Sequence, residues 1–359
     1  MARDPWLDNA KFALVTLVVF GHILGLVLVD ERNVQVYTWI YFFHMPAFVL
    51  ISGYLSRSFR SDRDHLISLA STLLLPYLIF DAAMYQWREH LGQAQTGAVW
   101  LEPHYAMWYL IVLAMWRLAT PLLRKHWLVI PLSVPLSLWA GTLDFTLLGI
   151  PKAFAMLPFF VIGLHARSSW LAHLTTWWVR IPAVGALVWL WHSAADIQDW
   201  ARVAFLWWDR SYEVLGYGAE ESYEIRARLL AMSLVGALAA LALVPRRTTF
   251  FTGLGSASLV VYLGHAFAVR WAQSAELFDW APDHPTAALW TAAGAAVALA
   301  LSLACPPVSR RLVWVVDPIG SIRRHRSRQV VSPEAPRAES LRDEPETDRP
   351  VPGPSDPIR

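Results

Sequence analysis

Two side chains in the run KFALVTLVVFGHILGLVLV have chemistry that their neighbours lack: Lys11 at its start and His22 near its middle. An imidazole takes or gives a proton near neutral pH, and an ammonium holds an anion. An α-helix turns 100° per residue, so the 11 steps from Lys11 to His22 amount to about 1100°, three turns plus about 20°. Both side chains therefore face the same way, about 16 Å apart along the axis. The next apolar run, YFFHMPAFVLISGYLSRSFR, carries His44 and Ser52 and then Arg57 and Arg60. In a helical continuation these arginines, at i and i+3, share a face, and paired guanidiniums suit phosphate groups. In GSASLVVYLGHAFAVRW, His265 lies near mid-run and Tyr262 three residues before it on the same face.

The elements that carry these groups are membrane spans. Of 359 residues, 56% are hydrophobic and only 16% charged, with 20 Trp and a mean hydropathy of +0.37. Apolar runs of about 20 residues recur along the chain, each long enough to cross the hydrocarbon core once as a helix. They are continuously apolar and lack the period-two alternation of barrel strands. The expected fold is all-α: a polytopic bundle of about ten helices, near 10–29, 36–56, 65–87, 105–121, 127–142, 152–166, 174–193, 227–244, 256–274 and 286–308. The first reads as a retained helix rather than a cleaved signal peptide, since no small-residue cleavage site follows it.

Orientation follows from charge. With the N-terminus in the cytoplasm, Arg57, Arg60, Arg63, Arg124, Lys125, Arg167, Arg246, Arg247, Arg310 and Arg311 fall on one side, as the positive-inside rule asks. The opposite connections hold Asp30, Glu31, Glu89, Glu102, Asp144, Asp196, Asp199, Glu220, Glu221, Glu276, Asp279 and Asp283. Both termini are thus expected in the cytoplasm of a multi-pass cell-membrane protein. Arg202, Arg210, Arg226 and Arg228 depart from the pattern, and segment 199–217 reads as an outer amphipathic helix or a re-entrant piece. Residues 1–316 form the membrane domain. From 317 to 359 the chain is rich in Pro, Glu and Arg, too polar to bury a core, and reads as a disordered cytoplasmic tail. With one cysteine, Cys305, no intrachain disulfide can form. No nucleic-acid partner and no metal are expected.

Polar side chains at bilayer depth are functional candidates by default. Plain structural readings stand beside this one: Lys11 as a snorkelling anchor, His22 as an interhelical hydrogen-bond partner, Arg57 and Arg60 as topology residues. His44, beside Met-Pro, is as open to core packing as to catalysis, and His265 to packing as to lining a tunnel. Trp108 and Tyr109 read as interfacial aromatics, Lys152 as a topology or ion-pair residue.

The stretches WLDNAKFALVTLVVFGH, FFHMPAFVLISGYLSRSFR, LLLPYLIF, MWYLIVL, FFVIGLHAR and GLGSASLVVYLGH occur in an order and spacing that resembles the integral-membrane acyltransferase 3 family. The resemblance covers about residues 6–310 and is strongest to the fucose 4-O-acetylase-like branch. It implies a ten-helix enzyme that takes an acyl group from cytoplasmic acyl-CoA and passes it to a carbohydrate hydroxyl. Lys11 resembles the family's basic donor-site residue, His22 its catalytic histidine, Arg57 and Arg60 its Arg-x-x-Arg pair, and Ser52 with Gly53 its Ser-Gly element. The first basic residue is often Arg in that family and is Lys here.

The residues suit that chemistry. Lys11, Arg57 and Arg60 can hold the phosphates of acyl-CoA, acetyl-CoA by the resemblance, while the thin arm runs along the first helix toward His22. A mid-depth imidazole can then deprotonate the acceptor hydroxyl, a carbohydrate or glycoconjugate arriving from the acidic side. His44, Ser52, Tyr262 and His265 are candidates to line the tunnel. Ser52 as an acylated intermediate stays open, although no Ser-His-Asp order is present. The competing class is a proton-coupled transporter or flippase with His22, His44 and His265 as a relay.

Overall fold

The computed structural model describes residues 4–93 and 97–317. Among the described residues every regular element is helical and none is a strand. The main helices are α1 (Pro5–Leu24), α2 (Glu31–Leu55), α3 (Arg63–His90), α4 (Trp108–Leu123), α5 (Val129–Trp139), α6 (Ile150–Ala155), α7 (Leu157–His165), α8 (Trp177–Ala195), α9 (Ala219–Leu243), α10 (Ser258–Ser274), α11 (Pro285–Ala304) and α12 (Pro306–Val316). The expected tail lies almost wholly outside the described residues.

Each of the ten expected segments overlaps a helix, yet among the described residues seven helices are long and apolar enough to cross a bilayer, or eight if one bent pair is a single span. That pair is α6, with the turn before it, and α7, bent by 62°. α5 is short, and the four tryptophans of α8 lower its hydropathy.

Both N-terminal helices begin about five residues before their apolar runs, because an aspartate caps each. Asp4 accepts from the Trp6 amide and Asp30 from the Asn33 amide, both at 2.9 Å. The caps satisfy amide groups that no preceding turn can reach.

α2 sits at the centre and packs on α1, α7, α8 and α9, while α1 packs on α2, α10 and α11. Van der Waals fit and interhelical hydrogen bonds must drive such contacts in lipid. Small residues give the closest one: a Cβ on Gly53 of α2 would collide with the Phe160 carbonyl of α7, and one on Gly163 with the Leu50 carbonyl. Gly53 thus has a packing reason of its own. Indoles tie the periphery, with Trp39 donating to Leu187 O at 2.9 Å and Trp116 to Ala153 O at 3.1 Å. Buried Asn9 fixes the start of α1 by donating to Pro245 O and Arg247 O and accepting from the Thr249 and Thr252 hydroxyls.

α3 is not a uniform α-helix. Residues Ala70–Leu74 form a π-helical turn just before Pro76. Such turns recur at functional sites because they push side chains out of register, and Thr72 and Leu73 of this one line a cavity.

Candidate functional site

Two cavities stack along the bundle. One, about 220 Å³, is lined by Lys11 from the start of α1, Ser52 from the end of α2, Thr72 and Leu73, Tyr109 and Arg117 of α4, and Tyr262 of α10. The other, about 540 Å³, is lined by His22, by Tyr37, Tyr41 and His44 from the first half of α2, by Tyr105 and Trp108, by Lys152, by the segment Leu206–Arg210, and by Tyr262 and Arg270. Lys11, Val18 and His22 form one stripe of α1 facing them.

In the larger cavity His22 has no hydrogen bond to the described residues; its ring lies 4.7 Å from that of Tyr105 and 5.2 Å from that of His265. An imidazole so placed keeps its ring nitrogens for what enters the cavity. His44 also lines it. Its Nδ1 lies 2.9 Å from Ile40 O and so donates, leaving Nε2 as acceptor in the neutral ring. His265 is fully buried behind His22, with Nδ1 on Val261 O at 3.1 Å, and does not line either cavity.

Tyr105 is held over His22 by a backbone clamp. Buried Asp81 of α3 accepts from the amides of Trp100 (2.9 Å) and His104 (2.7 Å) and from the His104 ring at 3.1 Å. The clamp immediately precedes Tyr105, whose φ of +54° is a left-handed value that a bulky residue takes only when its surroundings impose it. The same is true of Trp208, at φ +63°. It lies in the segment expected as an amphipathic or re-entrant helix, which instead forms a 3₁₀ turn, Val203–Trp207, and a short helix, Tyr212–Leu215. Buried Arg226 of α9 anchors it: the guanidinium sits 4.9 Å from the Trp208 ring centre and 5.7 Å from those of Phe205 and Tyr212, and donates to Phe205 O.

This arrangement brings Asp209 to Lys152, an ion pair at 2.8 Å, with the Lys152 ammonium 4.5 Å from the Trp108 ring centre. Trp108, expected as an interfacial aromatic, is thus a wall of the larger cavity. The Trp207 indole donates to the Tyr37 hydroxyl at 3.0 Å, and Tyr37 and Tyr41 stack at 3.9 Å. Aromatic faces with a few charged groups between them can take the C–H faces and hydroxyls of a polar ring.

The smaller cavity is mostly apolar, with two cations at its margin. Lys11 pairs with Asp8 at 2.6 Å. Arg117 donates to the Ser56 hydroxyl at 3.4 Å and also lines an adjoining recess that holds Ser58, His65 and Ser68. Arg57 and Arg60 line neither cavity. The helical continuation that would align them is absent, because α2 ends at Leu55, a 3₁₀ turn covers Ser56–Ser58 and Phe59 is extended. Arg57 donates to Tyr54 O and Ala166 O, both at 2.9 Å, and stacks on Tyr54; Arg60 is exposed. Arg117, Arg270 and Asp81 were not among the sequence candidates, although each is an ionisable residue inside or next to an apolar run, which is the available signal.

Ser52 and Tyr109 share a short hydrogen bond between their hydroxyls. Among the described residues, no group of three or more His, Cys, Asp or Glu side chains is placed to hold a metal ion.

The class so defined is an all-helical membrane protein with two cavities stacked through its bundle, cations lining both and imidazoles lining only the larger. The sequence comparison gives this class a family: an acyltransferase domain, Acyl_transf_3, matches residues 4–305, and the chain belongs to that family. It is an enzyme, an acyltransferase of the O-acetyltransferase kind. It is similar to the nodulation protein NolL of Sinorhizobium fredii, 23% identical over 90% of this chain and 91% of the relative. It is also similar to the nodulation protein NolL of Mesorhizobium japonicum, 26% identical over 48% of this chain and 42% of that relative. No solved structure matches the chain significantly.

Proposed function

We propose that the protein moves an acyl group, acetyl in the first instance, from acyl-CoA in the Lys11 cavity to a carbohydrate hydroxyl in the His22 cavity. The observation that supports this most is the stacking of the two cavities, with Lys11 and Arg117 at one and the His22 imidazole in the other. Lys11 and Arg117 attract the anionic part of the donor, exposed Arg60 adds charge at the rim, and Arg57, engaged with two backbone carbonyls, shapes that rim. The apolar wall between suits the thin arm of the donor.

In the larger cavity the tyrosine and tryptophan faces hold the sugar ring, and Asp209, Lys152 and Arg210 meet its hydroxyls. His22 takes the proton of the attacking hydroxyl as its oxygen bonds to the thioester carbon. The carbon–sulfur bond breaks, the electron pair leaves on sulfur, and the thiolate takes a proton to give free CoA. The Lys11 end and both termini lie in the cytoplasm in this reading, and the acceptor enters from the outer face. The likeness to the fucose 4-O-acetylase-like branch favours a sugar hydroxyl as the acceptor.

Purified protein in liposomes, given radiolabelled acetyl-CoA and an envelope glycan extract, should label carbohydrate. His22→Ala should lower that transfer ~10²–10⁴-fold, the usual cost of losing a general base, while the protein stays folded and inserted. Near-normal transfer by His22→Ala, or glycan crossing the bilayer with no label on it, would overturn the proposal.

A further inference from the structure

We propose that Tyr262, braced by Tyr109, is the wall that sets the length of acyl group the enzyme accepts. This rests on the reading of the Lys11 cavity as the donor site. Among the described residues that line the two cavities, Tyr262 alone lines both. In that reading donor and acceptor meet beside that side chain, so the acyl group delivered from the Lys11 side packs against its ring while the thioester carbon stays open to the His22 cavity.

The ring is fixed. Its hydroxyl donates to the Ala106 carbonyl in a short hydrogen bond, and the residue is buried. The Tyr109 ring packs across it at 5.5 Å in an edge-on contact, and Tyr109 is itself tied through its hydroxyl to Ser52. The His265 ring, three residues on in the same helix, lies 5.8 Å away. A rotamer change at Tyr262 would break the bond to Ala106 and press on two packed rings. A wall held at three points excludes by shape, and the cavity in front of it is only about 220 Å³. A pocket that ends on a rigid ring discriminates by about 10–200-fold per methylene.

The test is binding of a donor series to the full-length protein in nanodiscs, using CoA, acetyl-CoA, propionyl-CoA and butyryl-CoA. Wild type should bind acetyl-CoA at least about a hundredfold more tightly than butyryl-CoA, which is two methylenes longer. Tyr262→Ala should bring the two affinities together with CoA affinity unchanged. Tyr262→Leu carries the same expectation if the alanine variant does not fold, and Tyr262→Phe, which keeps the ring, should keep the discrimination. An acetyl-to-butyryl ratio that is the same in wild type and in Tyr262→Leu overturns the wall while leaving the donor site in place. Wild type that binds none of the four overturns both.

Discussion

Lys11 and Arg117 reach the same cavity from the starts and ends of helices far apart in the chain, and they reach it with different commitments. Lys11 is partly neutralised by Asp8, three residues before it, whereas Arg117 makes a long bond to a serine hydroxyl. A phosphate therefore gains more from the guanidinium, which is planar and can bind two oxygens at once. Arg117→Ala should raise KM for acyl-CoA by about tenfold and leave kcat within about twofold, since a contact made equally in the ground and transition states affects binding alone. A fall in kcat at unchanged KM, in steady-state transfer with acetyl-CoA, would mean that Arg117 acts on the reacting atoms. The shared face of Lys11 and His22 is legible in the sequence because one helix carries both, and helical periodicity is a local property. Arg117 is not legible in this way, because it joins Lys11 at one cavity only once α4 is folded into the bundle. The pairing of Arg57 with Arg60 rests on extending a helix that stops at Leu55, where Ser56 and the residues after it tighten into a 3₁₀ turn.

α1 is the element that the proposed chemistry depends on most, because it carries both Lys11 of one cavity and His22 of the other. One alanine inserted after Val15 should rotate the Lys11 half by about 100° against the His22 half while the span stays long enough to cross. Transfer should collapse although the protein still inserts. Four residues inserted there restore the face to within about 40° but add about 6 Å, so donor binding should persist and transfer fail. Separate measurement of donor binding and transfer reads both, and wild-type transfer from the one-residue insertion would show that Lys11 and His22 serve no common ligand. The start of α1 and the segment 199–217 mark the edges of what hydropathy can see. Apolar runs reveal where a helix is buried in lipid and miss the capped polar turn that precedes it. In 199–217, aromatic and charged residues alternate without a helical period, and its shape comes from Arg226, a residue on another helix.

The whole chain has one cysteine, which makes its topology directly readable. In a Cys305→Ser background, Ser58→Cys, beside the Lys11 cavity, should be protected from a membrane-impermeant maleimide in intact cells, and Asp279→Cys, at the opposite end of the bundle, should react. The reverse pattern would invert the orientation and with it the side from which the donor comes. The aromatic layer where the two cavities meet also has an electrical meaning. In the proposed orientation, with the two cavities open to opposite faces and filled with solvent, the membrane voltage would fall mainly across that thin layer rather than across the full hydrocarbon thickness, at about 2.3 kcal/mol per elementary charge per 100 mV. Any charge displaced across it as the thioester opens works with or against the voltage, so the energised state of the membrane would enter the rate of acyl transfer. The same layer must insulate: a side chain that only blocked substrates, and let ions through, would discharge the membrane that the enzyme sits in.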